Sequence, residues 1–184
     1  LNLFGLRTIA RDNEIHGNAT GIRANSSAGS LANGIQILGN EIYANTTQGI
    51  NSFGVMTIAE NEIYGHASSN FAILAASSDI LRNTIRNNLN GLSLNNGLVA
   101  GNRFFGNTGT ALSINSNVAV NGNSIYSNSI GLHGLASFAG TITNNLVYAN
   151  VNAGLLIENS AAGAGTAQVW NNTIYQQVGN AVRL

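Results

Sequence analysis

Residues 40–50 read Asn-Glu-Ile-Tyr-Ala-Asn-Thr-Thr-Gln-Gly-Ile, and this pattern recurs along the whole chain. Each copy starts with an Asn, followed two positions later by a β-branched or aromatic apolar residue. A second polar residue comes next, and then a small residue followed by an apolar one. The eight copies start at Asn13, Asn40, Asn61, Asn83, Asn102, Asn123, Asn145 and Asn172. Repeats of this length indicate a solenoid in which each repeat forms one coil.

Each repeat contains three short apolar stretches. One precedes the first Asn, one lies between the two polar positions, and one begins with the small-apolar pair, as in Gly91-Leu92-Ser93-Leu94. Their apolar residues recur with the period of two that is typical of β-strands, which excludes a helical bundle. A lone coil cannot bury its inward side chains, whereas stacked coils join them into one core. We therefore predict an all-β parallel β-helix, or β-solenoid, of about eight coils with three short strands per coil.

The two polar positions of the repeat are mostly Asn. The second position is occupied by Asn18, Asn45, His66, Asn88, Asn107, Asn128, Asn150 and Gln177. Asn tolerates the left-handed backbone of a tight turn, and its amide both donates and accepts hydrogen bonds. Identical amides stacked at the strand spacing form hydrogen-bonded ladders. We predict that the eight asparagines that start the repeats form such a structural ladder.

The pattern Asn-x-Ile-x-x-Asn-x-x-x-Gly-Ile resembles the repeats of the pectin-lyase-like superfamily over essentially the whole chain. The resemblance implies a right-handed β-helix. Because the chain begins with Leu1 and shows no signal sequence, we expect residues 1–184 to be a single domain that is a segment of a longer protein. The resemblance also implies a location outside the cell, on its surface or in the periplasm. Members include polysaccharide lyases, glycoside hydrolases, alginate epimerases, periplasmic accessory proteins and surface proteins, so the resemblance is specific for fold and not for function.

Charged residues are few: seven Arg, no Lys and seven carboxylates give a net charge of zero. Such a surface does not favour nucleic acid, whose phosphates require clustered cations. No apolar run is long enough to cross a bilayer. The chain has no Cys, and His16, His66 and His133 fall at different positions of the repeat. We therefore predict no nucleic-acid partner, no membrane insertion, no metal site and no cofactor.

In enzymes of the resembled superfamily, acidic side chains converge on the outer face of one row of strands, here the row that begins with the small-apolar pair. The outward residues of this row are predicted to be Arg23, Asn51, Ala72, Ser93, Ser113, His133, Leu156 and Arg183. None of them is a carboxylate, whereas glycoside hydrolysis by the usual mechanism requires two. We therefore assign no catalytic residue, and the segment is predicted not to be an enzyme by itself.

Three acids occupy one repeat position in consecutive coils. Glu14, Glu41 and Glu62 are expected to form a solvated column, partly neutralised by Arg11 or Arg82. A column of this kind could also bind a hard cation. Two coils have extra residues after the small-apolar strand, at 23–34 and 158–168, and we expect both to be spacer loops.

All five tyrosines follow directly after the inward apolar residue between the two polar positions. His16, Arg86 and Phe105 occupy this position in the other coils. Alternation places it on the outside, so a nearly continuous aromatic stripe is expected. The rings either stabilise the sheet by stacking on one another or receive the flat faces of sugars. The candidate carbohydrate-binding residues are Tyr43, Tyr64, Phe105, Tyr126, Tyr148 and Tyr175.

Three hypotheses for function follow. The first is a rigid structural or recognition module of a secreted or surface protein, which contacts polysaccharide or stacks end to end with itself. The second is a polysaccharide lyase, epimerase or hydrolase whose catalytic residues lie outside this segment or in the early acidic cluster, which contains Asp12, Glu14, Glu41, Glu60 and Glu62. The third, from the resemblance alone, is a periplasmic accessory protein for metal-enzyme assembly.

Overall fold

A computed structural model describes residues 1–158 and 166–184. The described residues form 22 strands and one short 3₁₀ helix, Leu31–Asn33. In chain order the strands are β1 Asn2–Gly5, β2 Ile9–Arg11, β3 Glu14–His16, β4 Thr20–Ser26, β5 Ile35–Leu38, β6 Glu41–Tyr43, β7 Gln48–Ala59, β8 Glu62–Tyr64, β9 Phe71–Leu81, β10 Thr84–Arg86, β11 Asn90–Ala100, β12 Arg103–Phe105, β13 Thr110–Ile114, β14 Val118–Asn121, β15 Ser124–Tyr126, β16 Ile130–Gly134, β17 Thr141–Thr143, β18 Leu146–Tyr148, β19 Ala153–Ile157, β20 Gln168–Trp170, β21 Thr173–Tyr175 and β22 Asn180–Arg183.

These strands form two parallel sheets wound around one core. The eight-stranded sheet contains β3, β6, β8, β10, β12, β15, β18 and β21. We call it the ring sheet, since it carries the tyrosines. The other sheet has 14 strands, and we call it the wide sheet. One of its rows runs from β1 to β22 and contains the small-apolar pairs, and the other runs from β2 to β20 and precedes the first Asn of each repeat. The predicted parallel β-helix is confirmed, with about seven turns between the eight strands of the ring sheet.

In the middle of the solenoid, two of the three strands of a coil join into one. There, β7, β9 and β11 are continuous strands of 12, 11 and 11 residues that span both rows of the wide sheet. In β7 and β11 the chain bends at Gly54 and Gly97, which have φ values of +86° and +121°. A Cβ at either position would collide with a carbonyl oxygen of the neighbouring coil. Glycine is therefore required at these two positions, whereas β9 continues past the same corner without a glycine.

The core is a column of aliphatic side chains. On the ring sheet the inward residues are Ile15, Ile42, Ile63, Ile85, Phe104, Ile125, Val147 and Ile174. The six central members of this row are fully buried. Burial of one such side chain contributes about 1.5–3 kcal/mol. Stacking of coils therefore provides the burial that an isolated coil lacks.

The first Asn ladder runs without a break. In each step the side-chain Nδ2 of one Asn donates to the Oδ1 of the next, at 2.8–3.1 Å from Asn13 to Asn172. Asn61 shows the full pattern: its Nδ2 also donates to the carbonyl oxygens of Ile37 and Ala59, each at 2.9 Å. Backbone groups at the turns, which would otherwise be buried without partners, are thereby satisfied.

The second ladder ends differently from the sequence expectation. The backbone N–H of Asn150 donates to Oε1 of Gln176 at 2.7 Å, so the ladder closes on Gln176 instead of Gln177. Gln176 lies one residue earlier in the register, and its extra methylene lets its amide reach the ladder position.

The two segments that lengthen their coils were expected to be spacer loops. The first, residues 23–34, contains the end of β4, the 3₁₀ helix and Gly34, which directly precedes β5. In the second, residues 159–165 lie outside the described residues. No helix of the described chain is long and apolar enough to cross a membrane.

Candidate functional site

The candidate carbohydrate-binding residues lie in one outward row of the ring sheet. Strand pairing aligns His16, Tyr43, Tyr64, Arg86, Phe105, Tyr126, Tyr148 and Tyr175. Alternation along each strand directs the preceding isoleucine into the core and the ring outward, as with buried Ile42 and partly exposed Tyr43. The row is the aromatic stripe, and its members follow one another at the strand spacing of about 4.8 Å.

The stripe contains two stacks. In the first, the ring centroids of His16 and Tyr43 are 4.7 Å apart, those of Tyr43 and Tyr64 are 5.0 Å apart, and the Arg86 guanidinium lies 4.1 Å from the Tyr64 centroid. The second contains Phe105, Tyr126 and Tyr148, with centroids 5.2 and 4.9 Å apart. Interplanar angles are 11° or less. Neighbouring rings cover one another's faces, so a sugar meets their outer edges and hydroxyls. Tyr175 is the most exposed tyrosine of the row, at 58%.

The column of glutamates is tied to the first stack. The Tyr43 hydroxyl donates to Glu14 Oε1 and the Tyr64 hydroxyl donates to Glu41 Oε1, each at 2.7 Å. The hydrogen bond to Glu14 is the largest cause, and desolvation the second, of a pKa of Tyr43 that is raised to about 12. The hydrogen bond to Glu41 is likewise the largest cause of a raised pKa at Tyr64. Each phenol therefore stays protonated and holds the carboxylate of the preceding coil.

The expected neutralisation of this column by Arg11 or Arg82 is wrong. Arg86 is the arginine that pairs with the column, through Nε and Glu62 Oε1 at 2.8 Å. Arg82 pairs with Glu60, which lies outside the column, also at 2.8 Å. Arg86 points outward from the same sheet as Glu62, whereas Arg82 lies in the turn before the ladder, and this difference in direction decides the pairing.

The second stack has a different polar border. An Nη of Arg103 donates to the Tyr126 hydroxyl at 2.8 Å, and its guanidinium carbon lies 5.3 Å from the Phe105 centroid. In the following coils, the position equivalent to Arg103 is occupied by Ser124, Leu146 and Thr173. Hydroxyls and one guanidinium here replace the carboxylates that border the first stack.

Sequence reasoning missed one pair of chemically active side chains, on the wide sheet. His133 Nε2 lies 2.8 Å from Glu158 Oε1, and Glu158 Oε2 accepts a hydrogen bond from the backbone N–H of Ala136 at 3.2 Å. Glu158 directly follows β19, and it shares the outward phase of Leu156, so continuing the alternation by two residues finds it. The expectation that the outward positions of the row from β1 to β22 contain no carboxylate therefore holds within its strands and fails one residue beyond β19. Ser113 precedes His133 in the same outward row.

The outward row of the wide sheet needs one further correction. Register aligns Leu74 with Asn51 and Ser93, whereas the repeat pattern predicted Ala72 in this row. Ala72 is fully buried. Within residues 1–158 and 166–184, no three His, Asp or Glu side chains are close enough together to hold a metal ion.

Comparison with known proteins places this geometry in a family. Residues 51–184 match the family described as the right handed beta helix region. The chain belongs to this family. The predicted right-handed β-helix and the resemblance to pectin-lyase-like proteins are both confirmed. No curated protein matches the chain in sequence.

Two solved structures show the same fold. The periplasmic alginate epimerase AlgG superimposes with a TM-score of 0.76 at 18% identity, over 96% of this chain and 50% of its own. The pectate lyase Pel9A superimposes with a TM-score of 0.62 at 13% identity, over 98% of this chain and 68% of its own. The chain thus spans half the length of the epimerase, and at these identities the likeness establishes the fold alone.

Proposed function

We propose that this β-helical segment is a rigid recognition module that binds polysaccharide along the outer face of the ring sheet. The observation that carries the proposal is the aromatic stripe, which presents one outward ring, imidazole or guanidinium in each of eight consecutive coils. A polysaccharide is itself a repeating chain, so successive sugars can meet equivalent groups in successive coils. The fold that this chain shares with an alginate epimerase and a pectate lyase supports the same ligand class.

The stacking geometry determines how sugars would be held. Because the rings cover one another, sugars would lie across their edges and not between them. Phenol hydroxyls, carboxylates and guanidinium groups offer donors and acceptors for sugar hydroxyls. The second stack, Phe105-Tyr126-Tyr148, is bordered by Arg103 and Ser124, without carboxylates. We propose it as the main contact, since its hydroxyl groups are not engaged by glutamates.

The proposal includes a location outside the cytoplasm, in the periplasm, on the cell surface or in the medium. The periplasmic location in the name of the similar epimerase supports it. End-to-end association of copies stays a prediction, which sedimentation of the purified chain would measure.

Binding is tested with a glycan array and a panel of soluble polysaccharides. The double variant Tyr126→Ser/Tyr148→Ser removes two rings of the second stack and keeps a hydroxyl at each position. Phe53→Ser is the matched control, since Phe53 is an exposed aromatic residue of the wide sheet. We expect binding by the wild type and the control and at least about tenfold weaker binding by the double variant. Equal binding by all three proteins, or binding by none of them, would contradict the proposal.

A second candidate function is catalysis on a polysaccharide, and the His133–Glu158 pair favours it. A carboxylate that orients an imidazole is the usual arrangement of a general base. The test is release or modification of polysaccharide in the same binding assays, by wild type and by His133→Asn. Turnover that His133→Asn abolishes would establish this function, and turnover that persists in the variant would exclude His133 as the base.

A further inference from the structure

A polar trough lies outside the ring sheet, at the turn between the row from β2 to β20 and the first Asn ladder. Its volume is about 350 Å³. Arg11 and Asp12 line it from the first coil, Leu38 and Gly39 from the second, Thr57, Ala59 and Glu60 from the third, and Arg82 from the fourth. The trough spans the first to the fourth coil, about 14 Å along the axis at the strand spacing. This length accommodates a small ligand unit and not only an ion.

Gly39 keeps the trough open. In the stacked coils it lies between Asp12 and Glu60, so any other residue at this position would place its side chain between those two carboxylates. A Cβ on Gly39 would lie 2.6 Å from Asp12 Oδ1, so the Asp12 carboxylate leans across the space that the glycine leaves. Asn occupies the equivalent turn position in other coils, at Asn144 and Asn171, both with positive φ. The gap at Gly39 is therefore a local choice of residue and not a requirement of the turn.

The charges of the trough balance. Glu60 Oε1 accepts hydrogen bonds from Arg82 Nε at 3.1 Å and from an Arg82 Nη at 2.8 Å, which leaves Glu60 Oε2 available. Arg11 has no ion pair within the described part of the chain. Asp12 and Arg11 thus supply one free carboxylate and one free guanidinium at the same end. Two arginines and two acids give no net charge, which disfavours a strongly charged ligand.

We propose that this trough binds a single uncharged sugar residue. Carboxylates accept hydrogen bonds from sugar hydroxyls, and guanidinium groups donate to hydroxyl and ring oxygens. The partly exposed Leu38 in the lining offers an apolar contact for the C–H face of the ring, beside few but convergent polar groups. The choice of a sugar as ligand rests on the proposed function, but the site is separate from the aromatic stripe.

The test uses methyl glycosides of glucose, mannose and galactose as probes, followed by the backbone amide NMR signals of the whole chain. Uncharged glycosides should shift the amides of Gly39 and Glu60 and leave those of Tyr126 and Tyr148 unchanged. Gly39→Asn should fill the trough and weaken this binding about tenfold. Gly122→Asn is the matched control, because Gly122 has the same turn conformation and a Cβ added there would meet no atom within 4 Å.

The outcomes separate this proposal from the proposed function. No shift at Gly39 and Glu60 with any glycoside overturns the trough site, whatever the polysaccharides do. Stronger binding of methyl glucuronide or methyl glucosaminide than of the uncharged probes also overturns it, since the ligand class is then wrong. Loss of polysaccharide binding in Tyr126→Ser/Tyr148→Ser, with the glycoside shifts intact, supports both sites. Equal glycoside affinity in Gly39→Asn and Gly122→Asn overturns the trough site alone.

Discussion

His66 Nδ1 lies 3.0 Å from Asn88 Oδ1, inside a ladder whose other positions are mostly Asn. An amide oxygen only accepts, so Nδ1 carries the ring proton. On the other side, Asn45 Nδ2 faces His66 Nε2 at 3.4 Å and donates to it. The orientation of both amides is fixed by the rest of the ladder, through Asn18 on one side and Asn107 on the other. The ladder therefore accepts the neutral imidazole and opposes a proton on Nε2.

This arrangement makes stability depend on pH. Burial lowers the pKa of His66 below its usual value of 6.5, so the unfolded chain takes up a proton at a higher pH than the folded chain. The free energy of unfolding has its full value above about pH 6.5 and falls as the pH decreases toward the lowered pKa. No other titratable side chain contacts the ring within the described residues; the facing groups are the Asn45 and Asn88 amides.

We expect His66→Asn to remove this loss. Urea unfolding of the wild type and the variant at about pH 7.5 and at about pH 5.5 measures this loss of stability, because one pH lies above the ordinary histidine pKa and the other lies below it. The stability gap should grow in favour of the variant at the lower pH. His16→Asn is the control, since the His16 side chain is 54% exposed and lies outside the ladder. An identical pH dependence in wild type and His66→Asn would show that His66 is not the responsible group.

Asn102 tests the first ladder. Its Oδ1 accepts from both the backbone N–H and the Nδ2 of Asn83, at 2.8 and 3.1 Å, and its Nδ2 donates to Ile80 O at 2.8 Å. Asn102→Ala leaves these buried groups without partners, at about 1–3 kcal/mol each. We expect a loss of about 3 kcal/mol or more in the free energy of unfolding by urea. The exposed Asn152→Ala, which removes one hydrogen bond to Ser129, should cost less than about 1 kcal/mol. Similar losses in the two variants would contradict a structural role for the ladder.

Ile85 tests the inward register. It is fully buried and is paired with Ile63 and Phe104 in the neighbouring coils. Ile85→Asp places a carboxylate between coils at a cost of several kcal/mol, so we expect the cooperative thermal transition to disappear. Thr84→Asp introduces the same residue one position earlier, on the outside, and should keep the transition. Circular dichroism during heating compares the two, and a transition near that of wild type in Ile85→Asp would refute the register.

The repeat alone predicts the fold and the inward row, because pleating fixes the direction of every second side chain. It fails for the outward residue of one coil. Ala72 and Ile73 form the small-apolar pair of their coil and are both buried, so the outward residue is Leu74, two positions after the predicted Ala72. The repeat also fails to predict the ion-pair partners, for another reason. Whether Arg82 pairs with Glu60 or with Glu62 depends on the direction of a side chain in a turn, and the spacing of the repeat does not specify that direction. The His133–Glu158 pair joins a strand residue to one just beyond a strand, so a search restricted to strand positions misses it.

Tyr43 offers a test of the polar border of the stripe. Its hydroxyl donates to Glu14 Oε1 at 2.7 Å, and ionisation would place a phenolate against a carboxylate. The pKa of Tyr43 is raised to about 12 from 10.0, so the favourable contact is complete below pH 10 and is lost as the pH rises toward 12. In an ultraviolet titration of phenolate formation, we expect one tyrosine fewer to ionise near pH 12 in Tyr43→Phe than in the wild type. Glu14→Gln should shift the same titration step toward lower pH, since it removes the largest cause of the raised pKa. Glu158→Gln, on the wide sheet, should leave the step in place, and an unchanged step in Glu14→Gln would mean that the hydrogen bond between the two coils does not form in solution.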